Sequence, residues 1–382
     1  MDASTFGAAS MPDARAEALV ASYERAGYRR LAPAILQPAE PFLDLSGEDI
    51  RKRMYLTTAP GGAELCLRPD LTIPVSRDYL ASSAAGNPAG YCYLGPVFRH
   101  RIDEPPEFLQ AGIESFGRAD KAAADAEMLS LGLEATAHYG LAAPDIRIGD
   151  VALFAALIDA LDLSPAWKRR LLKDFNRKTN LAQDLNRLVL GGNNGRPEYQ
   201  GVLAALAGSD PKGAHALVTD LLSIAGISAV GGRSVGEIAD RFLEQAALGA
   251  SAKLPRDVRA LIERFLAIGG DPDEAAAELR TLTGDANIAL GDALDQFETR
   301  TGFLAAHGVD LPRVRFSTAF GRGFDYYTGF VFELTDPART GDPLVAGGRY
   351  DGLLTRLGSA DSIPAVGLAV WIERLASYGA AS

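Results

Sequence analysis

The feature that most constrains this chain is a change of texture in its middle. From about residue 152 to 308, Ala, Leu and Arg recur at helical spacing and strand signals nearly vanish; strand-like segments precede this stretch and return from about 313. The simplest architecture is an α+β domain split by a helical insertion: residues 1–164 as the first part of the core, 165–305 as the insertion and 306–382 as the second part. Residues 13–28 and 121–139 read as helices of strong helix formers, and "DIRIGD" (145–150) alternates as a strand. One helix start is explicit: Asp271 is a capping residue, Pro272 suits the first turn, and Asp273 and Glu274 favour the positive helix end.

Bulk composition excludes several classes. The net charge is −11, the opposite of what a grip on a nucleic-acid backbone requires. Two cysteines and four histidines leave no disulfide framework and no metal centre to expect. No run of about 18 apolar residues is present, and the N-terminus carries no apolar leader, so a cytoplasmic protein without membrane spans is expected. The segment "WKRRLLKDFNRK" (167–178) is basic, and its ordinary reading is a solvated helix face.

Chemistry concentrates on strands that place glycine beside polar groups. In "GRGFDYYTGFVFEL" (321–334), read as one strand, Asp325, Tyr327, Gly329, Val331 and Glu333 share a side, while Phe324, Tyr326, Phe330 and Phe332 take the other. Gly329 would leave room for a ligand against the backbone. In "EFLQAGIESFG" (107–117), Gln110, Gly112 and Glu114 share a face. In "YCYLGPVFRHR" (91–101), Tyr93, Gly95, Val97, Arg99 and Arg101 do so, with Pro96 as a possible break in register. Together they predict a pocket floored by antiparallel strands. In "LCLRPDLTIPVSRDYL" (65–80) a helix starts after Asp70, either as a plain cap or as a ligand contact; the residues alone leave both open. Asp70, Gln110 and Glu114 suit ammonium or imidazole N–H donors, and Arg99 and Arg322 suit a carboxylate or phosphate. Acceptors at one end and arginines at the other describe a receptor for an amino acid.

The ordered blocks "LRPDLT", "FRHR…FLQAGIESFG", "GRGFDYYTGFVFE" and "AGGRYDGLLTRLG…PAVGLAVWIERL" resemble the catalytic domain of histidyl-tRNA synthetases. The resemblance implies a class II aminoacyl-tRNA synthetase-like antiparallel sheet flanked by helices. It also implies a histidine-binding set of Asp70, Thr72, Arg99, Gln110, Glu114, Arg322, Tyr326 and Tyr327. Asp70, Thr72 and Gln110 would hold the α-amino group, Glu114 and Tyr327 the imidazole, and Arg322 the carboxylate side. Arg99 matches the arginine that meets the α-phosphate of ATP.

The sequence departs from the synthetase pattern where ATP would sit. After Arg99 it reads "HRIDEPPEFL": Arg101 replaces an expected Glu, further arginines are missing, and Asp103, Glu104 and Glu107 stand where triphosphate would approach. Trp371 in "VWIERL" replaces a small residue and would fill the adenine slot, with Arg374 and Glu373 as a structural pair. No anticodon-binding domain is expected after Leu375. These departures resemble the ATP phosphoribosyltransferase regulatory subunits, a synthetase-paralogue family. That resemblance implies a non-catalytic protein without a cofactor, acting in the first step of histidine biosynthesis and its feedback control by L-histidine. The implied partner is a short catalytic subunit, with this chain as a homodimer inside a mixed four-plus-four assembly. Two further readings are a truncated synthetase that forms histidyl-adenylate and a tRNA-binding module.

Overall fold

The computed structural model describes residues 14–46, 50–102, 104–175, 181–186, 211–224, four positions between 236 and 243, 255–338 and 342–378. Among the described residues the strands in chain order are β1 (Arg29–Leu31), β2 (Leu36–Pro38), β3 (Leu56–Thr58), β4 (Glu64–Leu67), β5 (Ala89–Phe98), β6 (Glu107–Phe116), β7 (Asp145–Asp150), β8 (Gly269–Gly270), β9 (Val314–Ser317), β10 (Phe330–Thr335), β11 (Val345–Arg349) and β12 (Ala365–Trp371). Nine form one sheet in the order β1-β5-β6-β12-β11-β10-β7-β9-β8, and β2-β4-β3 form a second. The large sheet is antiparallel except at β1–β5 and β7–β9.

One face of the large sheet is packed. Phe330, Phe332 and Leu334 alternate along β10 and are fully buried. The helix Lys121–His138 lies over them, and Gly132 permits its approach to Val345, Leu334 and Phe332. On that helix Asp125 is buried with the charges of Arg300 and Arg349, and Arg300 also reaches Asp150 at 2.5 Å. The opposite face of β6, β12 and β11 carries small residues in register: Gly112, Ala369 and Ala346 in one row, and Gly367 and Gly348 beside Glu114 in the next.

The chain divides into two compact units, residues 1–154 with 265–382, and 155–264. The sequence boundary of 165–305 differs most at its far end. The helices Pro272–Ala286 and Asp292–Ala306 have the texture of the insertion, yet they belong to the first unit. Phe297 packs on Phe316 of β9 at 4.5 Å between ring centroids, and Arg300 is anchored by Asp125 and Asp150. Asp271 caps its helix as expected, accepting from the N–H groups of Asp273 and Glu274 at 2.9 and 3.3 Å. Asp271→Ala is expected to cost about 1 kcal/mol, read as a fall in thermal midpoint that Asp271→Asn does not share.

Within the second unit, the helix Pro165–Asp174 is capped by Ser164 and buries Trp167 and Leu171. Arg169 and Lys173 face solvent, and Arg170 pairs with Asp174 and Asp184. The basic stretch is therefore amphipathic up to Phe175; residues 176–178 lie outside the described ones. Among the described residues, no helix is long and apolar enough to cross a membrane, and no group of three or more His, Cys, Asp or Glu is placed to hold a metal ion.

Two strand readings need correction. Residues 321–329 are loop and turn, and the strand begins only at Phe330. Tyr326 is buried and Asp325 exposed because the chain turns there, so parity does not assign faces before Phe330. Pro96 does not break β5, whose register with β6 runs unbroken from Ala89–Phe116 to Phe98–Glu107.

Candidate functional site

A narrow cavity of about 20 Å³ opens over β6, β12 and β11. Its wall includes Asp70, Thr72, Arg99, Gln110, Arg322, Tyr326 and Tyr327, seven of the eight residues singled out above. Glu114 lies immediately behind the wall, in contact with Thr72 and Tyr350, which do line it.

Each side chain is placed by a local device. Asp70 stands at the start of the helix Thr72–Leu80, where its Oδ1 accepts from the Ile73 N–H at 3.1 Å. It is thus a cap, and its Oδ2 is buried without a protein partner at the cavity. The cap reading of Asp70 is thereby met. Burial raises its pKa, against the Ile73 N–H and the nearby Arg99 charge. Gln110 and Glu114 project from β6 on the same face, and the buried Gln110 Nε2 has no protein partner. Arg99 follows β5; its Nε donates to the Pro69 carbonyl at 2.6 Å. Arg322 comes from the loop before β10 and lies 3.5 Å from Glu333, leaving its buried Nε without a partner. Tyr326 and Tyr327 pack with ring centroids 4.9 Å apart, and Phe324 stacks on Tyr326 at 5.0 Å.

Glu114 is the most enclosed group. Its Oε1 accepts from the Thr72 hydroxyl at 2.7 Å and the Tyr93 hydroxyl at 3.2 Å, and its Oε2 accepts from Tyr350. Burial pushes its carboxyl up to about 8, and the three hydroxyls act against that rise. Tyr93 and Tyr350 carried no role in the sequence reading. Tyr93 shares a face with Gly95 and stands opposite Gly112, and Tyr350 sits inside "GGRYDGL"; only the register of four strands brings both to Glu114.

Two glycines serve other neighbours than a ligand. A Cβ at Gly95 would lie 2.5 Å from the Arg68 guanidinium, and one at Gly329 would lie 3.3 Å from the Arg349 stem. Both make room for buried arginines.

At the arginine end the wall includes Trp371, beneath which Arg374 holds its guanidinium 5.4 Å from the indole. Arg374 does not pair with Glu373; it reaches Asp342 at 2.8 Å, while Glu373 accepts from the Leu109 N–H. Arg101 lies 4.0 Å over the Phe108 ring and pairs with Glu104 at 2.5 Å. Both arginines are engaged within the chain. Asp103 lies outside the described residues.

The likenesses to known proteins agree with this geometry. The histidyl-tRNA synthetase family model matches residues 8–231 and 213–375. The ATP phosphoribosyltransferase regulatory subunit of Mesorhizobium japonicum is 43% identical over 348 residues, 90% of this chain and 91% of that protein. The protein of the same name from Brucella canis is 42% identical over 346 residues, 89% and 90% of the two chains. An ATP phosphoribosyltransferase regulatory subunit/histidyl-tRNA synthetase from Bacillus halodurans superposes with a TM-score of 0.64 at 22% identity, over 96% of this chain and 78% of that one. A histidine–tRNA ligase subunit from Alicyclobacillus acidocaldarius gives 0.58 at 25% identity, over 97% and 95%. The fold is that of the class II synthetases, as expected, and the chain belongs to the family of ATP phosphoribosyltransferase regulatory subunits.

Proposed function

We propose that this chain is a non-catalytic regulatory subunit of ATP phosphoribosyltransferase and that its cavity takes free L-histidine. The observation that carries the reading is the asymmetry of the cavity. Unpartnered buried acceptor and donor groups, Asp70 Oδ2 and Gln110 Nε2, stand at one end with Arg322 Nε available besides. The nucleotide side is occupied by Trp371, and its arginines are held by Glu104 and Asp342. An amino acid offers an ammonium to Asp70, a carboxylate to Arg322 and Arg99, and an imidazole N–H to Glu114 and Tyr327. Tyr326, buried beneath Tyr327, holds that ring in place. No cofactor or metal enters this function.

In this reading the partner is a short catalytic subunit that condenses ATP with phosphoribosyl pyrophosphate, the first step of histidine biosynthesis, in the cytoplasm. The assembly is a mixed one of four and four, with this chain paired as a homodimer and no nucleic acid bound, in keeping with the net charge of −11. Histidine inhibits by favouring one arrangement of that assembly over another, which requires a difference in its affinity for the two. The test is reconstitution with a short-form catalytic subunit. Co-purification is expected, with condensation that depends on this chain and falls when histidine is added. A catalytic subunit that neither binds this chain nor changes its rate would defeat the reading.

A further inference from the structure

Glu114 is fully buried, and none of the groups facing it is cationic. They are Asp70 and Thr72 from the start of the helix Thr72–Leu80, Tyr93 from β5, Tyr350 from the end of β11, and Tyr326 and Tyr327 from the loop before β10. From β12 comes only Gly367. Arg99 and Arg322 line the cavity with their guanidinium groups directed to Pro69 and Glu333.

A carboxylate offers about four lone-pair positions. Thr72, Tyr93 and Tyr350 fill three, so one is left for a ligand N–H. With the cavity empty, that position and the charge itself are unmet, and burial favours the neutral acid. The acid then needs an acceptor for its own proton. The Tyr93 hydroxyl is arranged to become one: it stands 3.2 Å from Glu114 Oε1 and 3.3 Å from the Leu368 carbonyl, and its single proton serves one of them at a time. Gly112 makes this arrangement possible, since a Cβ there would lie 2.3 Å from both the Tyr93 hydroxyl and the Leu368 oxygen. Tyr93 is buried and forms no part of the cavity wall.

We infer that Tyr93 is a positioning residue for the pocket: its hydroxyl turns to Leu368 while Glu114 is an acid and back to Glu114 when a ligand N–H arrives, so that binding expels a proton. The proton passes from Glu114 to solvent, and the ligand's ring N–H takes the vacant acceptor position. The inference rests on the reading of the cavity as a histidine receptor.

Calorimetry of the full chain with histidine at pH 7, in phosphate and in Tris, separates the two ideas, because the buffers differ in their heat of ionisation. Free histidine at this pH has a mostly neutral ring, so about one proton released per histidine reports on the protein. Glu114→Gln keeps an acceptor oxygen and is expected to bind about tenfold more weakly, with release near zero. Tyr93→Phe removes one of the three hydroxyls that favour the carboxylate, so Glu114 is expected to hold its proton beside a bound ligand, with release cut by half or more. No binding to the unmodified chain would overturn the receptor reading. Binding with buffer-independent heat, or undiminished release from Tyr93→Phe, would overturn the proton switch alone.

Discussion

Gly367→Ala is expected to weaken ligand binding on the order of 100-fold, comparable to losing one charge-assisted hydrogen bond of about 3 kcal/mol. A Cβ at this position of β12 would lie 1.7 Å from Glu114 Oε2 and 2.7 Å from the Ile113 carbonyl. Neither neighbour has room to yield. The carboxylate is held through both oxygens by Thr72, Tyr93 and Tyr350, and the Ile113 oxygen belongs to the adjoining strand. Either Glu114 leaves its hydroxyl cage or β6 and β12 part locally. Overpacking of this kind costs about 1–3 kcal/mol, so the protein is expected to fold with a lowered thermal midpoint. Calorimetry with histidine beside a thermal melt checks both. A variant with unchanged affinity would show that Glu114 and its cage do not shape the ligand site.

Arg300→Met is expected to destabilise the first compact unit by about 3–5 kcal/mol, the usual cost of removing one partner from a buried ion cluster. Arg300 bonds to Asp125 at 3.1 Å and to Asp150 at 2.5 Å, all three nearly without solvent exposure. Methionine retains an apolar stem and removes the guanidinium, which lies 4.5 Å from the Phe330 ring centroid. Asp125 would keep Arg349 at 2.7 Å, while Asp150 would lose its cation. The pKa of Asp125 is already raised by burial against the pull of Arg349 and Arg300. Without Arg300 it rises further, so the folded variant binds protons that the unfolded chain releases. Its deficit should therefore narrow as pH falls and widen as pH rises. Thermal unfolding at pH 5.5 and pH 8 measures this, and an equal deficit at both would show that the cluster is not what holds the helix Asp292–Ala306 to the sheet.

Local signals were legible in the sequence. The cap at Asp271, the helix over 121–138 and the strand at 145–150 depend on neighbours in the chain, and the residues state them directly. Part of the cavity wall was legible in strands that set glycine beside polar side chains, Gln110 among them, whereas Thr72 and Tyr326 were named as site residues only by the resemblance to the synthetases. What glycine cannot state is which group approaches it. Gly95 and Gly329 admit Arg68 and Arg349, partners distant in sequence or set by a turn. The loop 321–329 imitates a strand because Phe324, Tyr326 and Tyr327 form an aromatic stack, and alternation alone does not tell stacking in a loop from packing on a sheet. Nor does helical texture say which helix seats on the sheet: 265–305 has the texture of the insertion, and only the contacts of Phe297 with β9 and of Arg300 with Asp125 join it to the core. The cage around Glu114 was beyond reach for the same reason: it exists only once β5, β6, β12 and β11 are in register.

The central claim is that an amino-acid receptor persists here without nucleotide chemistry beside it. Histidine-dependent exchange of pyrophosphate into ATP tests it most directly, with the full chain, magnesium and saturating histidine. The expected result is no exchange above a protein-free control, under conditions where calorimetry detects bound histidine. Sustained exchange that requires both histidine and Arg99 would contradict the claim and restore an adenylate-forming enzyme.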